Sequence, residues 1–147
     1  MPASIRKLTE SDAEALWRLR SGDTGNFVFG AFEGGAMVAM TGFYREAAVK
    51  RRHKGWIWGV FVSPPARGKG IGRALLARVV QAAKDLPGLR CILLTVSTTQ
   101  QAASKLYQDM GFHSYGIEPH ALMVGERYID EHHMVLELHG FHARMGS

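Results

Sequence analysis

Trp56-Ile57-Trp58-Gly59-Val60-Phe61-Val62 leads through Ser63-Pro64-Pro65-Ala66 into Arg67-Gly68-Lys69-Gly70-Ile71-Gly72-Arg73, and no other segment constrains the architecture as much. The first seven residues are apolar, aromatic and β-branched, and they read as a buried strand. From Ile71 onward, Ala74, Leu75, Val79, Ala82, Ala83 and Leu86 recur at helical spacing until Pro87-Gly88 stops the pattern. A strand feeding a glycine-rich turn that opens a helix presents backbone N–H groups at the positive end of the helix dipole. That arrangement suits an anion, most often a phosphate. Glycine lets the backbone approach the anion closely, because no Cβ stands in the way.

The nucleotide motifs that share this layout do not fit. A P-loop needs Ser or Thr after Gly-Lys, and Gly70 stands there. The dinucleotide fingerprint read from Gly70 meets Leu75 where Gly or Ala belongs, and read from Gly68 it meets Arg73. By itself such a turn is also a plain strand-to-helix connection. What remains, Arg67-x-x-Gly70-x-Gly72 after a strand ending Val60-Phe61-Val62, resembles the acyl-CoA-binding motif of the GNAT family of N-acetyltransferases.

A second motif follows at a suitable distance. Cys91-Ile92-Leu93-Leu94-Thr95-Val96 reads as a fully buried strand. Thr98 and Gln101 form a capping-box pair before a short amphipathic helix carrying Ala102, Ala103, Leu106, Tyr107 and Met110. Gly111 closes that helix as a left-handed cap, and Phe112 begins the next strand. Ala103-x-x-Leu106-Tyr107-x-x-x-Gly111-Phe112 is similar to the second GNAT signature, with Gln100 where many members have Asn. The resemblance runs from about Ile5 to Leu138.

Elsewhere the chain suits one α/β domain over residues 1–147, too short for two comfortable domains. Ile5-Arg6-Lys7-Leu8 reads as an opening strand. Ser11 and Glu14 form a capping box for a helix with Ala15, Leu16 and Leu19 on its apolar side. Phe27–Phe32 and Ala36–Tyr44 flank Glu33-Gly34-Gly35 as a hairpin. Strands are expected at Phe112–Glu118 and His132–Leu138, and a loose tail over Gly140–Ser147. The segment Arg20–Asn26 has no room for the second helix that family members commonly place over the acceptor, so the acceptor cleft is expected to be open there.

Composition narrows the setting. Met1-Pro2-Ala3-Ser4 is no secretory signal and no apolar run approaches membrane length, so a soluble cytoplasmic protein is expected. The single Cys91 cannot form an internal disulfide and reads as a small buried hydrophobe. The net charge of +5 is concentrated at Arg45, Lys50, Arg51, Arg52 and Lys54. No stacking platform or recognition helix accompanies them, and nucleic-acid binding is not expected. Glu118, Glu126, Asp130, Glu131 and Glu137 make the C-terminal third acidic, which either guides a cationic amine or is ordinary surface charge. His132 and His133 are adjacent and point to opposite faces of a strand, and His113, His120, His139 and His142 are scattered, so no metal site is expected. Trp56 and Trp58 share one strand face, as core or as pocket lining.

The resemblance implies an α/β (by some definitions α+β) fold: a single mixed, mostly antiparallel central sheet of about six to seven strands flanked by about three helices. It implies an enzyme that moves an acetyl group from acetyl-CoA to a primary amine by direct attack on the thioester, with no acyl-enzyme. The acceptor is a small molecule or a protein amine (an N-terminus or a lysine), and the protein a monomer or homodimer. Backbone groups of Val60, Phe61 and Val62 would pair with the pantetheine arm. The loop from Arg67 through Gly68, Lys69, Gly70, Ile71 and Gly72 to Arg73 would cradle the pyrophosphate. Tyr107 takes the place of the general acid, since a phenol of pKa near 10 stays protonated at neutral pH. Many relatives carry a basic Glu where Trp56 stands here, which leaves Glu46, His53, Glu118 or a water relay as base. The other class of protein open to this chain is a non-catalytic acyl-CoA-binding module.

Overall fold

The computed structural model describes residues 3–7 and 25–138. The expected first helix, the segment Arg20–Thr24, Leu8 and the C-terminal tail lie outside the described residues. The chain divides into two compact units, Met1–Leu89 and Arg90–Ser147.

The first unit is an antiparallel sheet of β1 (Ser4–Lys7), β2 (Asn26–Glu33), β3 (Ala36–Arg45) and β4 (Lys54–Val62), in that order, with one helix, α1 (Ile71–Lys84). The expected β2–β3 hairpin forms, but Glu33 pairs with Ala36, so Gly34 and Gly35, both of positive φ, close it as a two-residue turn. Phe27 and Phe43 stack with centroids 5.0 Å apart, and Phe29 meets Phe27 edge-on at 5.6 Å. Against β2, β3 and β4 the helix turns Ile71, Leu75, Leu76, Val79, Val80 and Ala83, all buried. Each such Leu or Val contributes on the order of 1.5–3 kcal/mol relative to an exposed position. The basic segment after β3 contains a 3-10 turn, Val49–Arg51. Arg45 fastens this end of the unit, donating from Nε to Arg52 O and from Nη2 to Pro87 O at 2.7 Å.

β4 departs from the expected buried strand. Ile57 is core, but Val60 and Phe61 are exposed. Pairing with β3 slips between Gly42↔Trp58 and Met40↔Phe61, so Gly59 and Val60 together oppose Thr41. Gly59 has φ +66, which a glycine-led β-bulge requires. Thr41 is fully buried, and its hydroxyl donates to Trp58 O at 3.3 Å across the irregularity. Gly42 gives the Trp58 ring its room, since a Cβ there would overlap the indole.

In the second unit β5 (Cys91–Ser97) pairs with β7 (Arg127–Glu137), and β7 with β6 (His113–Val124), all antiparallel, with α2 (Gln101–Asp109) between β5 and β6 in sequence. The two last strands are longer than expected. β6 continues through Pro119, because it is the edge of this three-stranded ladder and tolerates a proline. The ladder crosses an irregularity between Glu118 and Leu122, where His120 has φ +53 and donates its N–H to Asp130 Oδ1 at 2.9 Å. Gly125, with φ +63, then closes a tight hairpin with Glu126.

The Thr98–Gln101 capping box does not form. Gln100 occupies the N-cap without a side-chain bond, and Thr98 N–H donates to Asp130 O instead. Ser97 organises the entry: its Oγ accepts from Thr99 N at 3.2 Å and its carbonyl from Gln100 N at 3.0 Å. The exit follows expectation. Gly111 has φ +105, its N–H bonds to Gln108 O at 3.0 Å, and Phe112 N–H bonds to Tyr107 O at 3.0 Å, which is a Schellman cap. Gly111→Ala should destabilise the protein by about 1–3 kcal/mol through left-handed strain, and a Cβ there would also lie 3.1 Å from Leu136 Cδ1. Urea unfolding measures this. A midpoint equal to that of the wild type would mean the helix end relaxes freely.

The α/β class and the seven mostly antiparallel strands are those expected, with two helices among the described residues. None of these is long and apolar enough to cross a membrane.

Candidate functional site

Val60 to Arg73 form one continuous feature of the first unit. β4 ends at Val62, a short 3-10 turn (Pro64–Ala66) reverses the chain, and residues 67–70 lead into α1. Arg67 pins the loop to the strand: its N–H donates to Pro64 O at 3.2 Å and its Nε to Val62 O at 3.0 Å. Gly68 and Gly70 have φ of +78 and +79, conformations that L side chains resist, and a Cβ at either would meet nothing within 4 Å. Their role is therefore backbone shape. Gly72 differs: its φ is not positive, and a Cβ there would touch Val62 Cγ2 at an ordinary 3.5 Å.

Gly70 is the N-cap of α1 and provides no side-chain cap. The first intrahelical bond here runs from Ala74 N to Gly70 O at 3.1 Å, so the N–H groups of Ile71, Gly72 and Arg73 precede it at the helix start. Arg67, Lys69 and Arg73 are exposed around them. Lys69 Nζ lies 3.7 Å from Glu33 Oε2 at the β2–β3 hairpin. Sequence reasoning missed that pair, as it missed the Gly59 bulge. An isolated glycine within an apolar strand was the available signal for the bulge; nothing local announces the ion pair.

Upstream of the loop, Val60 and Phe61 are 37% and 52% exposed. Apolar side chains and strand backbone thus run directly into a cationic turn with unused N–H donors. A ligand with an amide-bearing apolar arm and a polyphosphate fits this sequence of surfaces.

Tyr107 belongs to the second unit, on the last turn of α2. It is 6% exposed, and its ring meets Phe112 edge-on with centroids 6.1 Å apart. Tyr107 and Phe112 are the two residues that the Schellman cap joins, so one motif fixes both the backbone and the ring. Burial pushes the phenol above its ordinary pKa, which favours the protonated, proton-donating form.

Both candidate carboxylates for a base are engaged. Glu46 Oε2 accepts from Trp56 Nε1 at 3.0 Å, and Glu118 Oε1 lies 3.0 Å from His133 Nε2. His53 is half-buried just before β4. His132 and His133 do point apart: His132 Nδ1 meets Ser114 Oγ at 3.1 Å. Among the described residues no three His, Cys, Asp or Glu side chains gather as metal ligands.

The fold and its loop define an α/β protein with an anion-compatible turn at the start of a helix. Residues 3–112 match the sequence model of the Acetyltransferase (GNAT) family, and the chain belongs to that family. The chain is 33% identical over 79 residues to the L-amino acid N-acyltransferase MnaT of Escherichia coli (strain K12), a match covering 54% of this chain and 45% of the relative. It thus spans about half the length of that relative. Among solved structures it is similar to an acetyltransferase of the GNAT family from Streptococcus pneumoniae, with TM-score 0.79, 25% identity, and coverage of 89% of this chain and 78% of the other. The fold also matches yncA of Salmonella typhimurium, solved with its cofactor acetyl-CoA, with TM-score 0.81 and 21% identity over 100% of both chains.

Proposed function

We propose that this protein is an N-acetyltransferase that uses acetyl-CoA as co-substrate and a primary amine as acceptor, and that residues 1–147 act as one catalytic domain. The observation that carries the proposal is the left-handed Gly68/Gly70 turn, which leads from an exposed apolar strand end into α1. Family membership and the acetyl-CoA held by the yncA structure support it. The bound co-substrate supplies an activated thioester. Val60, Phe61 and Val62 offer strand backbone to its amide arm. Gly68 to Arg73 offer N–H donors, and Arg67, Lys69 and Arg73 offer charge, to its phosphates.

Tyr107 is the proposed proton donor to the departing thiolate. An alkyl amine of pKa about 10 is deprotonated in only about one molecule in a thousand at pH 7, so proton removal also matters. Glu46, His53, Glu118 and water are the proposed routes. Because Glu46 and Glu118 are already hydrogen-bonded, a non-catalytic acyl-CoA-binding module is the second reading. A panel of amines incubated with acetyl-CoA, read by release of free thiol, separates the two. Thiol release with none of them, while acetyl-CoA still binds, would be the signature of the module.

The acceptor is proposed to be cationic, drawn by Glu118, Glu126, Asp130, Glu131 and Glu137. Added salt should then raise the acceptor KM several-fold at saturating acetyl-CoA, because the Debye length falls from about 10 Å at 0.1 M to about 3 Å at 1 M. A KM insensitive to ionic strength would remove electrostatic steering. The lone Cys91 suits a reducing, cytoplasmic setting, which we include in the proposal.

A further inference from the structure

Where β3 finishes and β4 begins, a cavity of about 330 Å³ opens in the first unit between Arg45, Glu46, Arg52, Leu86 and Pro87. β4 spans Lys54–Val62, roughly 26 Å at about 3.3 Å per residue, and separates this cavity from the glycine loop at its other end. Two guanidinium groups line the cavity. Arg45 is clamped by its bonds from Nε to Arg52 O and from Nη2 to Pro87 O, while its Nη1 meets no acceptor among the described residues. Gly88 gives that guanidinium its room, because a Cβ there would lie 3.2 Å from Nη2. Arg52 lends its carbonyl to the clamp, and its guanidinium pairs with no carboxylate among the described residues. Glu46 is the acid on the wall, but its Oε2 is held by Trp56 Nε1 at 3.0 Å. Burial first, and the charge of Arg52 second, lower the Arg45 pKa from its ordinary value. The two like charges therefore oppose each other with no anion placed between them, an unfavourable arrangement that a bound anion relieves.

We propose that this cavity binds a small phosphate monoester, its phosphate bridging the Arg45 and Arg52 guanidinium groups. Charge, donor geometry and size select that ligand. A phosphate dianion matches two guanidinium charges, and each planar fork can meet two of its oxygens. The volume falls at the lower end of the ~300–1,000 Å³ of small-molecule sites, which leaves space beyond the phosphate itself. Leu86, Pro87 and Ala47 supply apolar wall for the carbon skeleton that carries it. Lys50 and Arg51, both exposed on the same connection, add positive potential that draws an anion in. Because Arg45 already links Arg52 to Pro87, a phosphate seated on both arginines would fasten the β3–β4 connection to the chain leaving α1. The inference is independent of acetyl transfer, since the proposed coenzyme loop lies at the far end of β4.

Calorimetric titration of the full chain with glycerol 3-phosphate, inorganic phosphate and succinate tests it, with backbone amide NMR shifts to locate each. Glycerol 3-phosphate should bind with a dissociation constant below about 1 mM, at least tenfold tighter than succinate. Its largest shifts should fall on Ala47, Arg52 and Leu86 rather than on Gly70 to Arg73. Arg52→Gln removes one guanidinium and keeps the carbonyl that holds Arg45, so circular dichroism should show an intact fold while affinity drops at least tenfold. Arg52→Lys restores the charge without the fork and should recover only part of that loss. Shifts confined to the glycine loop, unchanged affinity in folded Arg52→Gln, or no binding up to about 10 mM would overturn the proposal. Equal affinity for inorganic phosphate would make the bare ion the ligand and overturn the monoester. Equal affinity for succinate would reduce the site to a basic surface.

Discussion

Tyr107→Phe is expected to lower kcat by about 10²-fold, the lower end of what a general acid contributes. The substitution removes one hydroxyl and keeps the ring against Phe112 and the backbone bond from Phe112 N to Tyr107 O. Acetyl-CoA affinity should therefore stay within a factor of two or so. The pH dependence gives a second readout. Burial holds the phenol above its ordinary pKa of 10.0, so the basic limb of the rate profile should lie beyond that value, and the variant should lack it. Stability carries the same signature. Below the ordinary pKa both folded and unfolded chains keep the proton. Above it the unfolded chain releases its proton first, so folding stability falls as pH rises toward the folded pKa. Tyr107→Phe should flatten that decline. If the variant turns over at the wild-type rate with chemistry limiting, the tyrosine is a packing residue and the proton comes from water.

Substitution within the phosphate loop should produce the largest loss of co-substrate affinity. Gly70→Val places a β-branched residue at φ +79, which costs about 1–3 kcal/mol in the free protein even without any contact. Gly72→Val is the cleaner experiment. Its φ is not positive and its Cβ would meet Val62 at 3.5 Å, so the fold should tolerate it while the added methyls crowd any phosphate at the helix start. Acetyl-CoA binding should weaken at least tenfold, about 1.4 kcal/mol, by calorimetry. Unchanged affinity in a folded Gly72→Val protein would refute the assignment of this loop.

What could be read from the residues was local. The glycine turn declared itself because positive φ at two nearby positions admits little but glycine, and α1 because its apolar spacing persists for four turns. Gly111-Phe112 announced the end of α2 for the same reason. Capping was legible only where no rival existed. Thr98 and Gln101 read as a capping box, yet Ser97 Oγ takes the N–H of Thr99 and Gln100 holds the N-cap position with no side-chain bond. Ladder register is not local at all. Where β4 slips against β3, or β6 against β7, depends on the partner strand, so the bulge at Gly59 and the length of the last hairpin stayed hidden. The Lys69–Glu33 pair joins residues 36 positions apart and was invisible for the same reason.

The doubled residue opposite Thr41 makes chain length itself a determinant of the loop. Counting from Trp58, an uninterrupted strand would set Val60 and Val62 on the tryptophan side. With Gly59 and Val60 sharing one place in the ladder, Phe61 takes that side and Val62 turns toward α1, where its Cγ2 reaches the Gly72 position. Removing one residue from the doubled place would restore regular alternation and keep Phe61 opposite Met40, whereas a single deletion elsewhere in β4 would exchange these sides unless the bulge absorbed it. Paired changes of two residues preserve the parity anywhere in the strand; a single one does so only at the bulge. A one-residue change in the length of this segment is therefore absorbed only at Gly59–Val60, while the β2–β3 and β6–β7 turns, lying at hairpin ends, carry no such arithmetic.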